Sequence, residues 1–261
     1  MEKKYRLLEN DTKVVGGKTL YRIEALRDFA DVQKGDKGGY VESEENLSHE
    51  GNCWMYDKAR VYGGAQVYGD ACVFDNAQVY GNARVYDNAW VAGRVCVDSN
   101  ARVYGNARVY DNAWVAGRVC VDSNARVFGD AEVFGDAEVF GYAKVYGKAR
   151  VFDDARVYGN AYVSDNTQVY GKARVFGCAE VYGDADIRST RDYVVLKNIW
   201  SSGRYFTYTR SNGMWKVGCF YGTGEELIAK AYRDSEVSGR EYERVVRYVE
   251  AMYADLENDK E

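Results

Sequence analysis

The sequence predicts a mainly β chain built around a stacked solenoid, on three observations. From Met55 to about Ser189 a six-residue unit repeats without a break, and its fullest copies read Ala-Arg-Val-Tyr-Gly-Asn. An aliphatic residue occupies every sixth position, from Met55 through Val61 and Val67 to Ile187, at 23 positions with no insertion. None of the 261 residues is proline, where about 5% is usual. In a stack whose strands bond to the coils above and below, each missing N–H would leave a gap in the ladder. Self-similarity at a short fixed period marks a fold whose repeats contact only their neighbours.

One unit, Ala101-Arg102-Val103-Tyr104-Gly105-Asn106, carries the local physics. Alternate side chains of an extended segment face opposite ways. Ala101 and Val103 therefore point inward, because that side is uniformly apolar, and Arg102 and Tyr104 point outward. Gly105-Asn106 supplies the corner, since Gly takes a positive φ freely and Asn or Asp takes it better than most residues. Three units close one triangular coil, and 23 units give between seven and eight coils. At one strand spacing per coil the prism is roughly 35 Å tall.

From Ala59 to Ala185 the small inward position is Ala except at Val95, Val119 and Thr167. An aliphatic residue followed four positions later by a small one is the hexapeptide pattern. Over the whole stretch from Met55 to Ser189 the chain resembles the left-handed parallel β-helix family, and the resemblance implies that handedness. Many proteins of this fold are trimers, so a homotrimer through the outward aromatic columns is expected.

Residues 1–48 read as an N-terminal β cap. Lys4 to Leu8 and Lys18 to Leu26 are expected as strands joined near Gly16-Gly17. Gly16-Gly17-Lys18-Thr19 ends like a phosphate-binding loop, but Thr12 stands where the upstream Gly is needed, and Leu20 to Glu24 alternates as a strand. The loop Gly35 to Gly39 leads into Tyr40-Val41 and places the cap over the first coil's open edges. Asp28-Phe29-Ala30-Asp31-Val32, Gly38-Gly39-Tyr40-Val41, Leu47-Ser48 and Gly51-Asn52-Cys53-Trp54 are similar to the entry segment of a bacterial and phage-associated group of hexapeptide-repeat proteins. That group is commonly labelled acyltransferases on fold similarity, with no catalytic residues to carry over.

The repeat region, 49–189, contains a duplication. Residues 77–100 and 101–124 match except for Gln78 against Arg102. The repeated length of 24 adds one and a third coils and turns everything downstream by one face. Tolerance of that rotation suggests that prism length is adjustable and that much of the prism is a scaffold. The position after the aliphatic residue is Tyr or Phe in 17 of 23 units, which predicts stacked ring ladders. The exceptions are Ala92, Asp98, Ala116, Asp122, Ser164 and Arg188. Arg60, Arg84, Arg102, Arg108, Arg126, Arg150, Arg156 and Arg174 fill the position before it, where their stems can lie over the rings. Such ladders could grip a glycan or nucleic acid, or stabilise the sheet surface through cross-strand pairs. A net charge of −5 gives nucleic acid or a membrane surface no general electrostatic support. Where Trp90, Ala92, Cys96 and Asp98, then Trp114, Ala116, Cys120 and Asp122, replace rings and Arg, the surface should dip beside a Trp. Trp90, Asp98, Trp114 and Asp122 are therefore ligand-binding candidates.

Cys72, Cys96 and Cys120 are spaced four units apart, hence on three different faces, and the six cysteines show no metal-ligand spacing. Reduced thiols, no signal peptide and no apolar run long enough to span a membrane suggest a cytoplasmic protein.

His49 is the sole histidine. The resemblance implies that an enzyme of this fold would use a His base beside a projecting loop and a CoA thioester. His49, flanked by Ser48 and Glu50, is the catalytic candidate under that alternative, with acetyl-CoA or another acyl-CoA as cofactor. The uninterrupted register gives no such loop between Met55 and Ser189, so the primary expectation is a non-catalytic scaffold or binding protein without cofactor or metal, of phage or mobile-element association.

Residues 190–261 read as a C-terminal module of three strands and two helices. Asp192 to Leu196, Arg204 to Thr209 and Met214 to Tyr221 are the strands, with a hairpin turn at Ser211-Asn212-Gly213. Thr223 with Glu226 and Ser238 with Glu241 signal helix starts. Tyr242, Val245, Val246, Val249, Met252 and Tyr253 mark an apolar helix face, and the charged tail from Asp255 should fray. Trp215-Lys216-Val217-Gly218-Cys219-Phe220 with Gly222-Thr223 resembles an end module of phage-borne β-helix proteins. Trp200, Arg204, Tyr208 and Trp215 are candidates for a protein or small-ligand partner, because the module is longer than one triangular end requires.

Overall fold

The computed structural model describes residues 2–200 and 202–258. Its centre is a three-sided parallel β-solenoid of about eight turns. Twenty-three strands of two residues run from β4 (Trp54–Met55) to β26 (Asp186–Ile187), each one unit after the last. Away from the two ends each pairs in parallel with the strands one full coil before and after it, as Arg102 does with Arg84 and Cys120. The strands fall into three sheets, one per face. The first face carries Val61 to Ile187, the second Met55 to Val181 and the third Val67 to Val175. Ala and Val alternate inward and are almost completely buried along the whole tube. Each inward Val contributes roughly 1.5–3 kcal/mol before entropy is counted.

The corners explain the second half of each unit. All 22 corners from Asp57 to Gly183 open with a residue at left-handed φ, between 54° and 90°. At five of the six Asp corners the carboxylate offsets the strain by accepting from the corner amide one coil on. Asp75 takes Gly93 N at 2.9 Å, Asp111 takes Gly129 N at 3.2 Å and Asp165 takes Gly183 N at 2.9 Å. The three outward thiols at Cys72, Cys96 and Cys120 sit on three different sheets, and all six cysteines are free.

The coil starts earlier than the repeat does. Strands β1 (Tyr5–Val15) and β2 (Lys18–Ala25) form a hairpin through Gly16-Gly17, both at left-handed φ. β1 is longer than the sequence predicts, because a bulge between Leu8 and Thr12 keeps it paired to its end. Strand β3 (Lys37–Val41) joins β2 to the first face, and Leu47 bridges to Val67 on the third. Val41 and Leu47 are thus inward residues of an incomplete coil. Val41 pairs with Val61 and Leu47 with Val67, so this coil is longer than the regular three units. The cap donates to carbonyls at this open end. Asn46 Nδ2 bonds Gly63 O and Ala65 O, Tyr5 OH bonds Leu47 O, and the buried Lys4 Nζ bonds Cys53 O at 2.8 Å.

The opposite end is met by acceptors. Glu180 N donates to Thr207 Oγ1 at 3.0 Å, Asp186 N to Ser211 Oγ at 2.7 Å and Phe176 N to Tyr193 OH at 3.3 Å. Tyr193 and Thr207 belong to, and Ser211 to a turn of, a four-stranded antiparallel sheet, β27 (Tyr193–Lys197), β28 (Tyr205–Thr209), β29 (Met214–Val217) and β30 (Phe220–Gly222). The expected third strand is two, because Gly218 at φ 56° turns the chain. Helix α1 (Gly224–Asp234) starts at the Thr223–Glu226 capping box, as read from sequence. Helix α2 (Glu236–Asn258) starts ahead of the expected Ser238 cap, with Ser235 Oγ accepting from Ser238 N at 3.0 Å. It also passes Asp255, where fraying is expected to begin, and is helical to Asn258. Residues 259–261 of that tail lie outside the described residues. Among the described residues no helix is long and apolar enough to cross a membrane.

Candidate functional site

The outward rings form ladders. On the first face Phe134, Phe152 and Tyr170 stack with centroids 4.9 and 5.0 Å apart. On the third, Tyr68, Tyr86 and Tyr104 stack at 4.8 and 4.9 Å within 5° of parallel. One strand spacing sets that distance, so ring faces are satisfied by ring neighbours and mainly edges meet solvent. Interruptions of the ladders are therefore where the surface can do something else.

The structure treats these breaks differently. At Ser164 the column closes over, with Tyr146 OH and Tyr182 OH meeting at 2.9 Å across it. Asp98 is buried and accepts from Tyr80 OH at 2.7 Å, Ser99 Oγ at 2.9 Å and Trp114 Nε1 at 3.3 Å. Trp114 thereby leans over its own gap, and Ala116 is only 6% exposed. Asp122 is half-buried beside Tyr104, whose phenol is pushed up first by burial and then by that carboxylate.

Ala92 leaves an open recess, of about 340 Å³. The residue 16 positions before Trp114 is Asp98; the residue 16 before Trp90 is Phe74, which offers no acceptor. Trp90 instead rests on the Phe74 ring at 5.1 Å, tilted by 41°, and stays 42% exposed. Trp90 and Tyr110 form the walls, Ala92 and Gly93 the floor, Arg108 and Arg126 one rim and Asp75 and Asp111 the other. Arg108 also lies over the Trp90 ring at 5.2 Å. The dip beside Trp90 was legible in the sequence; Tyr110, Arg108, Arg126, Asp75 and Asp111 were not singled out as site residues. Stepping one coil on from each position of the Trp90 unit would have found Arg108 and Tyr110.

His49 is committed structurally. Its ring stacks on Tyr5 at 4.3 Å, Nδ1 accepts from Lys4 N at 3.1 Å, and Nε2 is sealed from solvent 3.6 Å from Glu44 Oε2. The neighbouring carboxylate is Glu44, not the adjacent Glu50. In the C-terminal module Trp215 is buried, packed against Phe206 and Tyr208. Trp200 packs on Phe206 and Tyr242, and Tyr208 on Tyr253. Those three rings form the module's own core, while Arg204 is exposed at the rim of a small cleft with Cys219 and Tyr242. Among the described residues no cluster has the composition of a metal site.

Residues 77–93, 101–117, 149–165 and 155–171 match the model of the YdcK beta solenoid repeat. A stretch of 46 residues, 17% of the chain, is 48% identical to the uncharacterized acetyltransferase YdcK of Escherichia coli (strain K12). The chain spans 14% of that relative's length in the match. With the three-sided coil, these matches make the prism similar to hexapeptide-repeat β-helices, as the resemblance of its repeats implied. They lie in the repeats and speak to fold; function rests on the site.

Proposed function

We propose that the chain is a non-catalytic repeat scaffold, a rigid β-helix that holds its two terminal modules apart and binds through its wall. The observation that carries this reading is the unbroken six-residue register from Trp54 to Ile187, in which every strand steps directly to the next. A wall of this kind presents columns and corners, with no loop to close over a thioester. His49 supports the same reading. Its Nδ1 lone pair is taken by Lys4 N and its Nε2 is sealed from solvent, whereas a general base needs a free lone pair within reach of its substrate.

A second reading, acetyl transfer from acetyl-CoA, is favoured by the name of the relative that the repeats match. The test is to incubate the full chain with labelled acetyl-CoA and a panel of sugar and amine acceptors. The expected result is no transfer and no thioester hydrolysis above the uncatalysed rate, in wild type and His49→Ala alike. Transfer by the wild type that disappears in His49→Ala would overturn the scaffold reading.

A further inference from the structure

We propose that the recess at Ala92 binds a nucleoside monophosphate, its base standing in as one rung of the ring ladder and its phosphate held by Arg108 and Arg126. This extends the scaffold reading by giving the wall a ligand, and it is tested by binding, independently of acetyl transfer.

The ladder geometry selects a planar ring. On this face Tyr56 and Phe74 stack at 4.4 Å on one side of Ala92, and Tyr110, Phe128 and Tyr146 stack at 4.8 and 4.9 Å on the other. Two coil spacings separate the flanking ring positions, roughly 9.6 Å. Trp90, tilted on the Phe74 ring, takes the Phe74 side of that interval, and the recess lies between it and Tyr110. Tyr110, stacked on Phe128 on its far side, turns its other π face toward the recess, which favours a base over an aliphatic group because every base has a stacking face. The volume of about 340 Å³ falls at the lower end of small-ligand sites, roughly 300–1,000 Å³.

Charge fixes the second half of the ligand. Arg108 and Arg126 are directly paired on neighbouring strands and both are exposed. Elsewhere on the prism Arg118 pairs with Asp136, Arg150 with Glu132 and Arg156 with Glu138. Among the described residues no ion pair links Arg108 or Arg126 to a carboxylate. Like charges directly opposite each other on a sheet are unfavourable, and an anion between them removes that cost. Guanidinium groups match phosphate oxygens in fork geometry. On the other rim Asp75 and Asp111 each use one oxygen for a corner amide, which leaves the second to accept from an amino or hydroxyl group. The same carboxylates repel a second phosphate on that side, which disfavours a polynucleotide strand. Arg84 and Arg102 on the third face are also paired like charges beside a ring stack, as Arg108 and Arg126 are beside Tyr110–Phe128, but the ring gap next to Arg102 holds the Asp122 carboxylate, whereas the gap next to Arg108 holds only Ala92. An empty ring position and facing cations therefore adjoin at Ala92.

The experiment is equilibrium dialysis of the full chain against adenosine 5′-monophosphate, with adenosine and inorganic phosphate as separate probes and thermal unfolding as the check on folding. The monophosphate should bind at least tenfold more tightly than adenosine or phosphate. Ala92→Phe fills the rung and should weaken binding at least tenfold with the melting temperature held or raised. Arg126→Gln should reduce binding of the monophosphate and leave adenosine unchanged, while Arg102→Gln should change nothing. No binding to the wild type at millimolar ligand, or undiminished binding to Ala92→Phe, would overturn the proposal. Either result leaves the acetyl-transfer outcome untouched.

Discussion

Asp98 and Asp122 occupy the same place in the two copies of the duplicated segment, yet Asp98 is buried under a Trp donor and Asp122 is half-buried with no Trp donor on it among the described residues. Asp98 holds the donors of Tyr80, Ser99 and Trp114 in a buried position. Asp122 has Ser123 Oγ at 2.8 Å and remains half-buried. Replacing Asp98 by Ala strands the Tyr80 hydroxyl and the Trp114 indole N–H, and should cost about 1–3 kcal/mol. Asp122→Ala should cost less than about 1 kcal/mol, the range for an exposed polar contact. Urea unfolding of both variants measures the difference, and equal midpoints would show that Asp98 is not the acceptor the geometry makes it. The disparity also shows why the open and closed recesses could not be told apart from one linear copy. The residue that decides each sits on the coil below, nearly a full turn earlier in the chain, and the duplication brings different partners there.

Elements divide by how local their causes are. Each short strand was legible because Val recurs every six residues and every corner opens with Gly, Asp or Ser, all local signals. The incomplete first coil was hidden because eight residues, instead of six, separate Leu47 from Met55, which breaks the period where Asn46 and Tyr5 make the turn. Helix α2 misled for a related reason. Ser238 with Glu241 has capping-box spacing, but α1 ends at Asp234 and a single residue, Ser235, joins the helices. Ser235 N bonds Ala231 O to close the first helix while its hydroxyl accepts from Ser238 N to open the second. Gly239, inside α2, lies against the Tyr232 ring with no room for a Cβ, which holds the crossing close. Ser235→Ala should therefore destabilise the protein by about 1 kcal/mol, a typical cap loss, and Ser238→Ala by a few tenths at most, about the variation of surface substitutions. Guanidinium unfolding followed at the far-ultraviolet helix signal distinguishes the two; a larger loss at Ser238 would return the cap to the position the sequence suggested.

Half-buried phenols recur along the whole molecule, and that gives it an alkaline limit. Burial pushes the Tyr193 and Tyr253 hydroxyls up to about 12. The ladder tyrosines Tyr56, Tyr80, Tyr104 and Tyr182 are also raised, by burial first and then by neighbouring acceptors. An unfolded chain releases these protons near pH 10, while the folded chain keeps them. Above that value the unfolded state binds fewer protons, so stability must fall as pH rises. The tyrosine contribution is complete below about pH 10 and is lost as the pH climbs through the raised folded values. Lys4 acts in the opposite sense. Burial lowers its pKa, so the folded state holds less of that proton and its linkage favours folding as the pH approaches the unfolded value. One ammonium at the cap is outnumbered by phenols spread along all three faces, so the net slope is downward. Because each coil touches only its neighbours, ionising one ladder ring exposes the next, and phenolate formation should coincide with loss of the β signal. Guanidinium midpoints measured from about pH 8 to 12, with phenolate absorbance and circular dichroism read together, provide the check. Gradual phenolate titration centred near pH 10 with the β signal intact would mean that the rings are solvated and that stacking does not hold the coils together.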